Sequence, residues 1–194
     1  ADYALGACDA PYIQYEGADR GRFSLEGSRP ATGASATWMI AQTIGLHAEG
    51  YGRILARTIA SRVRLAALLA EAPASAVLVV PEADTNILCL AVRPKGRATL
   101  SRANQASARL FARLSPSAGG PFIVSKTTLA ATAYGALIDD VAKRWGLEVD
   151  CGELLLIRMC LLNPFFGSKE MARSFPEDLA QTLTSLAEVC RDHD

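Results

Sequence analysis

The stretch Glu-Leu-Leu-Leu-Ile-Arg-Met-Cys-Leu-Leu, residues 153–162, limits the possible folds more than any other part of this chain. It is far shorter than the roughly 20 apolar residues a bilayer span needs, and Asn163-Pro164 stops it. A strand over 154–161, buried in a sheet, is the expectation. Arg158 interrupts the run. A guanidinium in such a strand is either paired or faces a polar cavity, because burying it unpaired is strongly unfavourable. By the two-residue period of a strand it shares a face with Leu156 and Cys160. Two roles stay open for it: an ion pair with a neighbouring acid such as Glu153, or a planar fork for the carboxylate of a ligand.

The residues around this strand alternate between extended and helical patterns. After Pro73 the β-branched and apolar runs 77–80 and 86–92 read as strands joined by a turn at 81–85, and 122–125 reads as a third. Between them, Leu100, Ala103, Ser107, Leu110, Phe111 and Leu114 mark one side of a helix. Leu137, Val141 and Trp145 mark another, ended by Gly146. Ser174 with Glu177 forms a capping box ahead of a last helix through Leu179, Leu183, Leu186 and Cys190. Upstream lie two helices. One covers 34–44 with Trp38, Ala41 and Ile44 on one side, and the other begins at Tyr51 and turns Ile54, Leu55, Thr58, Ile59, Arg62, Val63, Ala66 and Leu69 inward, with Arg53, Arg57 and Arg64 on its solvated face. Gly45 and Gly50 bracket the break between them, and His47 there is expected to be a surface or capping residue. The predicted class is α+β: about four strands in a mainly antiparallel sheet, with helices over one face. The expected division is 1–33 as a loop arm, 34–72 as connecting helices, and 73–194 as a small α+β domain.

Charge excludes some partners. The 20 basic and 20 acidic residues cancel, so there is no electrostatic footprint for nucleic acid or an anionic membrane, and a small-molecule target is expected. No signal-peptide pattern begins the sequence, which is consistent with a cytoplasmic location. The five cysteines (Cys8, Cys89, Cys151, Cys160, Cys190) show no Cys-x-x-Cys spacing, and His47 and His193 are distant in sequence, so neither a metal site nor a disulfide framework is expected. Cys89 and Cys160 sit within apolar runs, where a thiol acts as a small hydrophobe.

The joint at 24–33, Ser-Leu-Glu-Gly-Ser-Arg-Pro-Ala-Thr-Gly, connects an irregular amino-terminal arm to the first helix. Gly27 permits unusual backbone angles, Ser28 offers a hydroxyl and an amide, and Arg29 adds a cationic fork. Pro30 sets the chain for a helix start, where amides favour phosphate or carboxylate. The alternative is a helix-entry turn with a solvated arginine. The arm itself carries Tyr3, Tyr12, Tyr15 and Phe23 with little regular pattern, and reads as a piece of something larger.

Three stretches together resemble one family. Ser-Leu-Glu-Gly-Ser-Arg-Pro followed by Trp38, Gly45 and Gly50-Tyr51 is similar to the segment after the cofactor lysine in the group II pyridoxal-phosphate-dependent amino acid decarboxylases. Asp-Thr-Asn-Ile-Leu-Cys-Leu, from Asp84, resembles the first strands of that family's small carboxy-terminal domain, and Leu-Ile-Arg-Met-Cys-Leu-Leu-Asn-Pro resembles its arginine strand. The resemblance implies a fold type I small domain, pyridoxal 5'-phosphate as cofactor, an amino acid substrate, a homodimer, and release of carbon dioxide to give an amine. On the same footing, Gly27 and Ser28 would approach the cofactor, Arg158 the substrate carboxylate, and Tyr12, with Tyr15 as rival, would return a proton after carbon dioxide leaves.

Two departures qualify this picture. The stretch from Ala130 to Cys151 looks inserted between strands, and the family's His-Lys cofactor attachment is missing. Lys126 comes nearest but lacks that context, so the chain alone is expected to be inactive and to need an upstream large domain or companion chain carrying the lysine. Two other functions stay open: a lysine-free interaction or dimerisation module, and an aldehyde synthase of the same family.

Overall fold

The computed structural model describes residues 31–71, 76–81, 83–120, 122–168 and 175–191, within two compact units, Ala1–Tyr51 and Gly52–Asp194. In the first, α1 (Thr32–Thr43) has no buried residue. Trp38 and Ile44, expected on its apolar side, are exposed.

The second unit is α+β. Its sheet has the order β1 (Val77–Val79), β2 (Ile87–Val92), β4 (Glu153–Cys160), β3 (Ser125–Ala130), and every neighbouring pair is antiparallel. Alternation along the strands sorts apolar side chains onto two faces. Leu88, Leu90, Val92, Ile157 and Met159 join a core with Leu65 and Leu69 of α2 (Tyr51–Glu71) and Leu179 and Leu183 of α5 (Phe175–Arg191). On the other face Leu78, Ala91, Leu154 and Leu156 pack against Ile138, Val141, Ala142 and Trp145 of α4 (Ala131–Trp145). Helices therefore cover both faces, where the sequence pattern suggested one. The apparent insertion from Ala130 to Cys151 is the second layer: it supplies a helix that closes at Gly146, whose φ of 67° is the left-handed conformation glycine adopts at helix ends.

The helix α3 (Leu100–Arg113) belongs to both cores, giving Leu100 and Ala103 to one and Ala106 and Leu110 to the other. It lies where β2 and β4 part. Their pairing stops at Leu90↔Ile157, so the backbone beyond needs other partners. The Val92 amide donates to the buried Ser107 hydroxyl at 2.9 Å. The Leu155 amide donates to Asn104 Oδ1 at 2.8 Å, and Asn104 Nδ2 donates to the Glu153 carbonyl at 2.8 Å.

Two elements differ from expectation. The third strand is Ser125–Ala130, whereas 122–125 was expected; it is an edge strand held by main-chain pairing along β4, so its polar Lys-Thr-Thr pattern does not announce it. The apolar residues before it enter the core without being strand, with Val124 buried. On α2 the buried stripe is Thr58, Ser61, Leu65 and Leu69, while Leu55 and Val63 face solvent. Thr58 and Ser61 tolerate burial because their hydroxyls donate back to the Leu55 and Arg57 carbonyls at 2.8 and 3.0 Å. The expected cap residue Ser174 lies outside the described residues.

The start of α3 is tied to residues 147–150. Asp150 accepts from the Ser101 amide at 2.8 Å and the Ser101 hydroxyl at 2.6 Å, and these bonds hold its carboxyl below the ordinary aspartate value. A lowered folded pKa gives stability that is present above the unfolded value and lost as pH falls through the folded one. Urea midpoints measured from pH 7 to pH 3 are expected to fall more steeply for the wild type than for Asp150→Asn; parallel profiles would contradict this. Ser107→Ala should cost about 1–3 kcal/mol by stranding the Val92 amide, read from urea unfolding.

Candidate functional site

The register of the sheet sets Arg158 directly between Cys89 of β2 and Ser125 of β3. All three side chains share the face on which α4 packs, but α4 covers the half of β4 marked by Leu154 and Leu156. Beyond that half the strand carries Arg158, half-buried, and Cys160, exposed. Cys160, expected from its apolar run to behave as a small hydrophobe, is thus exposed.

Arg158 has no carboxylate partner among the described residues. Glu153 stands at the opposite end of β4, on the other face by strand parity, and pairs with Ala130 across the ladder, so the ion pair considered for Arg158 is not formed. Its Nε donates to Ser125 Oγ at 3.3 Å, and that hydroxyl donates to the Arg158 carbonyl at 2.9 Å. Ser125 therefore orients the guanidinium while leaving its two terminal nitrogens without an acceptor among the described residues. The site lies on a cleft of about 480 Å³ between the stretch leading into β3 and the end of β4. Phe122, Ile123, Leu162 and Phe166 make its walls mainly apolar, and Ile123 and Leu162 are 65% and 73% exposed.

The thiols beside Arg158 differ. Burial pushes the Cys89 thiol up; the Arg158 charge opposes that shift and nearby Cys160 adds slightly to it. Cys89 is thus protonated at neutral pH and a poor nucleophile. Lys126, the nearest substitute for a cofactor lysine, pairs in register with Ile157 and so projects from the face opposite Arg158, with its ammonium 5.0 Å from the centre of the Phe111 ring.

Of the residues expected to form a site, Arg158 is the one described; Tyr12, Gly27 and Ser28, like Tyr15, lie outside the described residues. Ser125 was not anticipated as a site residue. Its serine identity carries no signal without the β3–β4 register. Among the described residues no group of histidine, cysteine and acidic side chains is placed to hold a metal, and no helix is long and apolar enough to cross a membrane. No protein-family model matches the chain, and no curated protein matches it.

Arg158 suits a carboxylate ligand, and the described residues beside it do not fit the covalent attachment of pyridoxal 5'-phosphate. Lys126 projects from the face opposite Arg158.

Thiol reactivity follows from the same geometry. Brief alkylation with iodoacetamide at pH 8, read by peptide mass spectrometry, should label Cys160 ahead of Cys89 and Cys190, since Cys190 is buried and its thiol is also pushed up by burial. Labelling of Cys89 first would contradict the exposed position of Cys160.

Proposed function

We propose that this chain is the carboxy-terminal part of a pyridoxal-phosphate-dependent amino acid decarboxylase, supplying the carboxylate-binding arginine to a site whose lysine comes from an upstream domain or companion chain. The observation that carries the proposal is Arg158, oriented by Ser125, lining a cleft and without a carboxylate partner among the described residues. Pyridoxal 5'-phosphate, when bound, supplies an electron-accepting ring. Gly27 and Ser28 would contact its phosphate, in a homodimer that shares residues between subunits.

The work of Arg158 is orientation. A strong pair with the carboxylate that departs would stabilise the bound substrate and slow its loss unless the transition state gained more. Two terminal nitrogens fixed through Nε favour one carboxylate plane, which sets the direction of the bond that breaks. The apolar walls would exclude water around that group once a partner covers Ile123 and Leu162. Tyr12, or Tyr15, would then hold a phenolic proton for the carbon that has lost carbon dioxide. Retention of that proton step separates amine formation from the aldehyde-forming outcome. The exposed Ile123 and Leu162 also suit coverage by a partner, which an interaction module without catalysis would share.

The test is assembly. With cofactor and a large-domain partner, the wild type should release amine and carbon dioxide in equal amounts, and Arg158→Lys should lower kcat/KM by roughly a hundredfold while unfolding normally. Borohydride reduction should label a lysine of the partner. Stoichiometric labelling of Lys126 in this chain alone would overturn the proposal.

A further inference from the structure

A second cleft lies behind the loop that borders the Arg158 site. Residues 163–168 present Asn163 and Phe166 to the Arg158 cleft and Pro164, Gly167 and Ser168 to another, of about 310 Å³, whose opposite wall is α2 with Arg57, Ser61 and Arg64. We propose that this second cleft binds a tetrahedral oxyanion, as inorganic phosphate or as the phosphate of a monoester. The proposal stands apart from the decarboxylase reading.

Three observations support it. First, the two arginines are seven residues apart, two helical turns, so both reach the same side of α2. Arg57 is exposed and its guanidinium has no acceptor among the described residues, while Arg64 is steadied by an ion pair with Glu177. Second, the described residues that line the cleft include no acid, the nearest being Glu177, which is bonded to Arg64. Third, the loop backbone is closely fitted to the helix. A Cβ at Gly167 would stand 3.3 Å from Ser61 Oγ, closer than most such contacts.

The amides of the loop are only partly used by the described residues. The Phe165 amide donates to Asn163 Oδ1 at 2.9 Å, the Phe166 amide to the Asn163 carbonyl at 3.1 Å, and the Ser168 amide to the Phe165 carbonyl at 3.0 Å. The Gly167 amide between them has no acceptor among the described residues. Arg57 and Arg64 on one wall and Gly167 on the other line the same cleft, and two guanidiniums with a backbone amide would form a donor set complementary to a phosphate, in which each oxygen accepts charge-assisted bonds. The cleft volume exceeds that of phosphate alone and leaves room for the group esterified to it.

Phosphorus-31 NMR titration of the whole chain, at constant ionic strength with chloride as balancing anion, tests this directly. Inorganic phosphate and glycerol phosphate should each show saturable line broadening. Arg57→Gln should weaken both by about tenfold or more, from loss of one charge-assisted contact. Gly167→Ala should weaken them by crowding Ser61, and Arg97→Gln, which removes a cation paired with Glu148 outside the cleft, should leave them unchanged. Tighter binding of glycerol phosphate would identify the monoester as the ligand class, and equal binding the bare oxyanion. Absence of saturation, or wild-type affinity in Arg57→Gln with native far-ultraviolet circular dichroism, would overturn the proposal.

Discussion

Asn104 and Ser107 hold the sheet together where its two inner strands separate. Beyond Leu90↔Ile157 the facing backbones of β2 and β4 no longer reach one another, and α3 enters the gap with an amide and a hydroxyl that replace the missing ladder bonds. Unpaired buried amides there would oppose folding, since each loses its water without gaining a partner. Because α3 is seated at this fork it contributes apolar residues to both faces, and the two cores are joined through it.

The open end of the sheet follows from how far α4 extends. Trp145 donates its indole N–H to the Val79 carbonyl at 3.2 Å, and Arg93 donates to the Trp145 carbonyl at 3.1 Å, so the end of α4 is anchored near β1. The helix covers the Leu154 and Leu156 side of β4. Arg158 and Cys160 remain outside that cover, and an arginine can occupy an otherwise apolar strand there without an ion pair, because its guanidinium keeps contact with the cleft and with Ser125.

Arginines serve two distinct ends in a chain with no net charge. Arg62 donates to the Ala83 and Thr85 carbonyls, Arg93 to Trp145 and Arg109 to the Cys190 carbonyl at 2.9 Å, each satisfying main-chain acceptors where loops and helix ends leave them free. Arg57 and the terminal nitrogens of Arg158 have no such task among the described residues. Equal numbers of opposite charges therefore conceal local surplus cations on either side of one loop.

Much of this was legible in the chain itself. The runs at 77–80, 86–92 and 154–161, the helix ending at Gly146, and the period placing Arg158 with Leu156 and Cys160 all depend on local alternation and turn chemistry, which a sequence carries directly. The position of β3 was not, because an edge strand is chosen by backbone pairing with β4 and its Thr and Lys residues carry no burial signal. Nor was the rotation of α2, where Thr58 and Ser61 conceal their polarity through bonds within the helix while Leu55 and Val63 stay in water. Sequence alone determined that an arginine interrupts an apolar strand and that no His-Lys pair is present. Tertiary structure decided what surrounds that arginine: the register brings Ser125 to its Nε, parity turns Glu153 and Lys126 to the other face, and the length of α4 leaves the cleft open. Those are distances between strands remote in sequence, and they exist only once the sheet has formed.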